Sequence, residues 1–425
     1  MCTMLGLASS ISGADELWSH VRDVAQLDDV RGFTAEFADV DTRRVLRLEA
    51  APPRQSYAWA AVPVPDQGWN LERVASIQAT VRNCSPKPTE TMLWVVGSNG
   101  WGAVGDVATL KADETRTFRC DLRQTYPDGT PRIDPNQVSE IRFMVRGPKA
   151  DTALDVSRLV ADGRAPRWVR PAGRLDVPPM TEDLPAAGRR VRYQLPGDAG
   201  TSIYCVLYLP LDWQKGKSCP VVAEYPGNIF LNARCYSTGR PEQCVMGYGM
   251  TEGKGTIWVS LPFINRAAGD IAESGFGAND GEDTTSYAID LIEDICRNWG
   301  GDRDNLVLSG FSRGAIACGY IGLRNERIGA FWKGFSACQH YDGSAWHQSN
   351  MKDAVQRAER FTGRAIFQTD NSQKKYQPVV DATTPSVAWT WANSGLRFHA
   401  TAMFLDERPS TRQLRQWFRD LVTQP

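Results

Sequence analysis

Histidine is scarce in this chain, with four in 425 residues, so any chemistry that needs an imidazole must draw on His20, His340, His347 or His399. No stretch of about eighteen apolar residues occurs, which argues against a spanning helix. Charge of one sign is not in excess either. There are 48 basic and 49 acidic residues and the pI is near 6.5, so the electrostatic footprint for nucleic acid or an anionic membrane is missing, and neither is an expected partner. The ten cysteines include no Cys-x-x-Cys pair and no dense disulfide spacing, and no metal site is expected from them. Cys205, Cys296, Cys318 and Cys338 lie in apolar runs and read as small buried hydrophobes. Cys235 with Cys244, or Cys84 with Cys120, are candidates for bridging if the protein is exported. Met1 to Ala14 lacks the basic start and full apolar stretch of an export signal. The compartment stays open, with a secreted or periplasmic setting preferred to a cytoplasmic one.

The length calls for more than one hydrophobic core. After an N-terminal segment of residues 1–30, residues 31–163 carry short alternating or β-branched runs divided by turns, such as Ser76-Ile77-Gln78-Ala79-Thr80-Val81 and Met92-Leu93-Trp94-Val95-Val96. These predict an antiparallel β-sandwich. Residues 164–189 are rich in Pro and Arg and read as a linker. From 190 to 425 strands alternate with helices, predicting an α/β domain whose mostly parallel, eight-stranded sheet has helices on both faces. The expected strands are Val191–Leu195, Ser202–Leu209, Pro220–Tyr225, Thr256–Leu261, Asn305–Gly310, Ala330–Phe335, Ala365–Thr369 and Ser386–Trp391.

Within that domain, Asn305-Leu306-Val307-Leu308-Ser309 is a buried strand, Gly310-Phe311-Ser312-Arg313-Gly314 a turn, and Ala315 to Leu323 a helix rich in small residues. A Gly-x-Ser-x-Gly pattern in that context is a nucleophile elbow, with Ser312 as the nucleophile. Serine needs a base, normally a histidine oriented by a carboxylate. His399 lies between the last strand and the closing helix and is the expected base. Asp370, at the end of Ala365–Thr369, is the expected carboxylate, with Asp342 as runner-up. His340 and His347 sit in the loop after the next strand, and His340 is expected at the mouth of the site. The backbone N–H of Arg313 supplies one oxyanion donor, and Asn228 or Ile229, after the strand ending in Glu224-Tyr225-Pro226-Gly227, the other. The Arg313 side chain is a candidate for a fixed cation near the oxyanion, for binding a substrate carboxylate, or for a salt bridge to an acid at the sheet edge. Trp59, Trp69, Trp94 and Trp101 are candidate platforms for sugar rings, but aromatic residues on strands are more often core, the reading preferred for Trp94; Trp101, in a Gly-rich turn, is the preferred platform.

With these residues in place, residues from about Arg190 to Pro425 resemble the α/β-hydrolase superfamily. Arg313 after the nucleophile, with Gly227-Asn228 in the oxyanion loop, looks somewhat like glucuronoyl esterases, although Phe311 stands where those have Cys and Gly314 follows Arg313. Tyr225-Pro226-Gly227-Asn228 differs from the His-Gly-Gly-Gly loop of hormone-sensitive-lipase-like esterases. The first domain resembles galactose-binding-like sandwiches such as carbohydrate-binding modules. The likeness implies a Ser-His-Asp carboxylic ester hydrolase acting on a carbohydrate or small ester, without cofactor. A prolyl-oligopeptidase-like peptidase and a non-catalytic binding protein on the same scaffold are the alternatives.

Overall fold

The computed structural model describes residues 17–27, 29–40, 42–52, 56–66, 68–98, 102–232, 235–383 and 385–423. They fall into two units, one of Met1–Pro171 with Asn232–Tyr236 and one of Ala172–Leu231 with Ser237–Pro425.

The alternating and β-branched runs of the first unit become two five-stranded sheets. One has the order Val30–Arg31, Tyr57–Pro63, Val138–Arg146, Thr89–Gly97, Ala103–Leu110. The other runs Phe33–Val40, Arg43–Ala50, Ala153–Arg164, Val74–Asn83, Thr115–Asp121, and all neighbours in both are antiparallel. In Val74–Asn83, Ile77, Ala79 and Val81 are buried with Gln78 and Thr80 half-buried between them, as period-two patterning requires. Leu17, Trp18 and Val21, upstream of residue 31, also join this core.

Trp59 and Trp94 belong to the core, the reading preferred for aromatic residues on strands: both are buried, Trp59 donates its indole N–H to Asp29 at 2.7 Å, and the Trp94 ring lies 5.0 Å from Tyr236. Trp69 is half-buried against the core, and Trp101 lies outside the described residues. The nine described cysteines, Cys84, Cys120, Cys235 and Cys244 among them, are all free thiols, so neither candidate bridge forms.

The second unit is built on a nine-stranded sheet, one strand more than expected, in the order Met180–Thr181, Arg190–Tyr193, Cys205–Tyr208, Ile257–Ser260, Cys219–Tyr225, Gly301–Phe311, Trp332–Cys338, Ala365–Thr369, Ala388–Ala392. The extra strand, Met180–Thr181, comes from the Pro-rich stretch read as linker and pairs parallel with Arg190–Tyr193. Counted in chain order from Arg190, the remaining strands lie 1-2-4-3-5-6-7-8. The second is antiparallel to both neighbours and the rest pair parallel. This is a mostly parallel sheet, as expected, with Gly301–Phe311 in its interior.

Helices cover both faces because successive strand residues point to opposite sides. Val221, Ala223, Leu306 and Leu308 share a core with Tyr287, Leu291, Ile292 and Ile295 of the helix Glu282–Asn298. On the other face, a Cβ added to Gly247, in the helix Met246–Thr251, would stand 3.0 Å from Val222 Cγ1. Burying each large aliphatic side chain contributes about 1.5–3 kcal/mol.

Candidate active site

Parallel strands deliver their C-terminal ends to one edge, and the chemistry-bearing residues collect there. Ser312 follows the central strand directly and caps the helix Arg313–Tyr320 with φ 54° and ψ −113°. A non-glycine residue is strained in this region. The flanking glycines make the turn possible: a Cβ on Gly310 would stand 2.2 Å from Gly314 C, and one on Gly314 would stand 2.1 Å from Tyr225 O. Ser312 N donates to Cys338 O at 3.1 Å, while its carbonyl accepts from Ala315 and Ile316. The N–H groups of Arg313 and Gly314 belong to the first helical turn, where no intrahelical acceptor is available to them. They and the positive end of the helix point the site toward an anion.

Ser312, Arg313, Asn228, His340 and His399 line one cavity of about 490 Å³, together with Phe230, Ile316, Ser344, Ala345, Trp346 and Lys375. No carboxylate is among those residues. The His399 ring packs 4.7 Å from Phe311 and 6.4 Å from Phe230. Burial, and then His340, push the His399 pKa down to about 4. Burial and the Lys375 charge bring His340 to about 4 as well. Both imidazoles are therefore neutral at pH 7, the form in which a histidine accepts a proton.

The loop that carries Asn228 is firmly held. Asn228 donates Nδ2 to Ile229 O at 3.0 Å, its Oδ1 accepts from Gly275 N at 3.3 Å, and its carbonyl accepts from Ser237 Oγ at 2.6 Å. The N–H of Ile229 is committed to Glu273 O at 2.9 Å, which favours Asn228 of the two expected donors.

The Arg313 side chain is engaged elsewhere than in the substrate contact or salt bridge expected of it. It is buried, and it donates to four main-chain carbonyls: Nη1 to Ala272 and Gly275 at 3.0 Å each, Nη2 to Gly227 and Gly239 at 2.8 Å each. The guanidinium lies 3.9 Å from the centre of the Phe263 ring. Burial lowers its pKa to about 9, so it remains a cation at neutral pH. Its four Nη hydrogens are engaged in tying together the loops around the elbow, which leaves substrate contact at this residue to its backbone.

Asp370 also has partners other than those expected. One carboxylate oxygen accepts from Ser394 N at 2.6 Å and the other from Ser394 Oγ. The group recorded on His399 Nδ1 is Oε1 of Gln339, at 2.5 Å. The runner-up, Asp342, is buried in a bidentate pair with Arg357 at 2.7 and 2.9 Å and also accepts from Ser349 Oγ and Gly343 N. Both of its carboxylate oxygens are thereby engaged. His347 packs its ring 4.0 Å from Trp346, and His20 bonds to Pro63 O in the first unit. Gln339, Phe230 and Trp346 lie in the loops 229–249 and 339–350 on which acyl specificity is expected to depend, though none was singled out, and Lys375 was not anticipated. Lys375 had no signal beyond its charge, but Gln339 directly follows the strand beside Gly301–Phe311, a place where side chains reach the site.

No family model matches the chain, and no curated protein does. Among solved structures it is similar to a sugar hydrolase from Lactococcus lactis, with 13% identity over 55% of this chain and 97% of that one and a TM-score of 0.37. It is also similar to fungal esterases from Rhizomucor miehei, with 12% identity over 55% of this chain and 82% of that one and a TM-score of 0.36. A family 11 carbohydrate-binding module from Clostridium thermocellum matches with 15% identity over 35% of this chain and 96% of that one, TM-score 0.26.

Proposed function

We propose that this protein is a serine hydrolase of carboxylic esters whose chemistry resides in residues 190–425, with a β-sandwich at 31–163 and a connecting segment at 164–189. The observation that carries this is Ser312 itself, held at φ 54° between two glycines that steric contact requires, at the start of a helix and in one cavity with a neutral histidine. Ser312 Oγ attacks the ester carbonyl while His399 Nε2 takes its proton. The N–H groups of Arg313 and Asn228 receive the oxyanion. His399 returns the proton to the departing alkoxide, and water attacks the acyl-enzyme by the same route in reverse.

For the substrate we propose an ester borne on a carbohydrate. Phe230 and Trp346 supply apolar ring faces on the cavity wall, with Asn228, Ser344 and His340 between them for hydroxyl groups. Turnover of p-nitrophenyl acetate, acetylated, feruloylated and glucuronoyl-ester sugars, and peptide anilides tests this assignment. Ester turnover with the sugar esters preferred supports it, and cleavage of the anilides alone overturns it in favour of a peptidase.

A pH profile gives a second check. The base works only when neutral, and its pKa lies below the ordinary value of about 6.5 because burial disfavours the imidazolium. The acid limb of kcat/KM is therefore expected near pH 4, with activity nearly constant from pH 6 to 8. A limb at pH 6.5 or above would contradict the burial of His399.

A further inference from the structure

We propose that Gln339, a neutral amide, is the positioning residue that aligns His399, and that Asp370 braces the loop carrying this histidine instead of pairing with its ring. This rests on the serine-hydrolase reading above.

Gln339 follows Trp332–Cys338, the strand adjacent to Gly301–Phe311, which leads into Ser312. Its backbone is in the left-handed region at φ 68°, uncommon for a residue with a side chain, and its N–H is fixed to Thr369 O at 2.9 Å. The side chain bridges two consecutive residues of the histidine loop, donating Nε2 to Phe398 O at 2.9 Å and presenting Oε1 to His399 Nδ1 at 2.5 Å. A carbonyl such as Phe398 O can only accept, so the NH₂ end of the amide must face it and the oxygen must face the imidazole. That oxygen in turn can only accept. Nδ1 of His399 therefore carries the proton, and Nε2 keeps the lone pair that a general base needs. One amide thus selects both the tautomer and the orientation of the ring.

Asp370 acts one step away. Its N–H donates to Ala392 O at 2.9 Å, and its carboxylate grips the N–H and hydroxyl of Ser394, whose carbonyl is held in turn by Arg408 Nη1 at 2.8 Å. These contacts secure the start of the loop that ends at His399. The chemical difference between the two partners is charge. A carboxylate on Nδ1 stabilises the imidazolium formed during catalysis, whereas an amide aligns the ring and leaves the imidazolium without that help.

The test is an NMR titration of His399, with ¹⁵N-labelled imidazole, in wild type, Gln339→Glu, Gln339→Ala, Asp370→Asn and Ser394→Ala, run beside kcat/KM profiles on p-nitrophenyl acetate. In Gln339→Glu the His399 midpoint and the acid limb are expected to rise together by about 1–3 pH units, the effect of a new anion within contact distance. Gln339→Ala is expected to lose the single Nδ1–H tautomer and to drop kcat about 100-fold with little change in KM, as misplacement of a catalytic group does. In Asp370→Asn and Ser394→Ala the His399 midpoint is expected to stay at the wild-type value. An unmoved midpoint in Gln339→Glu, or a fall of the midpoint in Asp370→Asn without one in Ser394→Ala, overturns the proposal. The titration needs no turnover, so these failures are distinct from failure of the hydrolase reading, which shows as a wild-type protein that cleaves no ester.

Discussion

Replacing Ser312 with Ala is expected to lower kcat for ester hydrolysis by about 10⁶-fold, the loss seen when an activated serine nucleophile is deleted. The substitution removes one oxygen and little else. Ser312 N keeps its bond to Cys338 O, its carbonyl keeps Ala315 and Ile316, and the strained φ is held by the same close-packed glycines. The oxyanion donors and the cavity also survive, so a residual rate above that in water is expected. Steady-state kinetics with a matched thermal melt checks this, the melt remaining at the wild-type transition while activity disappears. Loss of activity in step with loss of folded protein would assign Ser312 to structure.

The second large effect concerns stability. Glu224 sits on the strand Cys219–Tyr225 beside the nucleophile strand and is almost wholly buried. Its carboxylate accepts from four donors: Val245 N and Met246 N at 3.0 Å, Gly247 N at 2.8 Å, and Trp258 Nε1 at 3.0 Å. It thereby holds the first turn of the helix Met246–Thr251 against the sheet. Burial raises its pKa, which the four hydrogen bonds partly offset. Glu224→Ala leaves those donors without an acceptor in a site water cannot easily reach, at an expected loss of about 3–5 kcal/mol. Glu224→Gln retains the shape and one acceptor oxygen and is expected to lose less. Urea unfolding measures both, and equal midpoints for wild type and Glu224→Ala would contradict the account of this network.

The elbow was legible in the sequence because its determinants are local. Gly310 and Gly314 are needed by contacts within a few residues or with the adjacent strand, and the change from apolar strand to small-residue helix is visible in the run from Leu306 to Leu323. The same holds for the sandwich, where alternation such as Ile77, Ala79 and Val81 is itself the cause of the two-sheet core. The partner of His399 was not legible. The apolar run ending at Phe335 hides the last turns of its strand, Ser336-Ala337-Cys338, so the strand end falls at Gln339 only once the sheet register with Gly310 and Phe311 is known. An amide is also an unusual choice for that position, and a search for carboxylates passes over it. Glu224 was missed for a related reason. A charge inside an apolar strand is explained only by the helix, some twenty residues later, whose N–H groups it satisfies.

Arg313 shows how the chemistry of a residue type misleads without geometry. A cation beside the nucleophile invites a substrate role, yet its fork is matched to the carbonyls of Gly227, Gly239, Ala272 and Gly275, which come from different loops. The loops it gathers include the one that carries Asn228. Its influence on the reaction therefore runs through the shape of the oxyanion site.

The central claim is that Ser312 is an activated nucleophile, and the most direct measurement is intact-protein mass spectrometry after exposure to a fluorophosphonate, followed by peptide mapping. The account predicts one adduct per chain, located on Ser312, formed by the wild type and absent from Ser312→Ala and from heat-denatured protein. No adduct on the native protein, or an adduct of equal yield on Ser312→Ala, would contradict it.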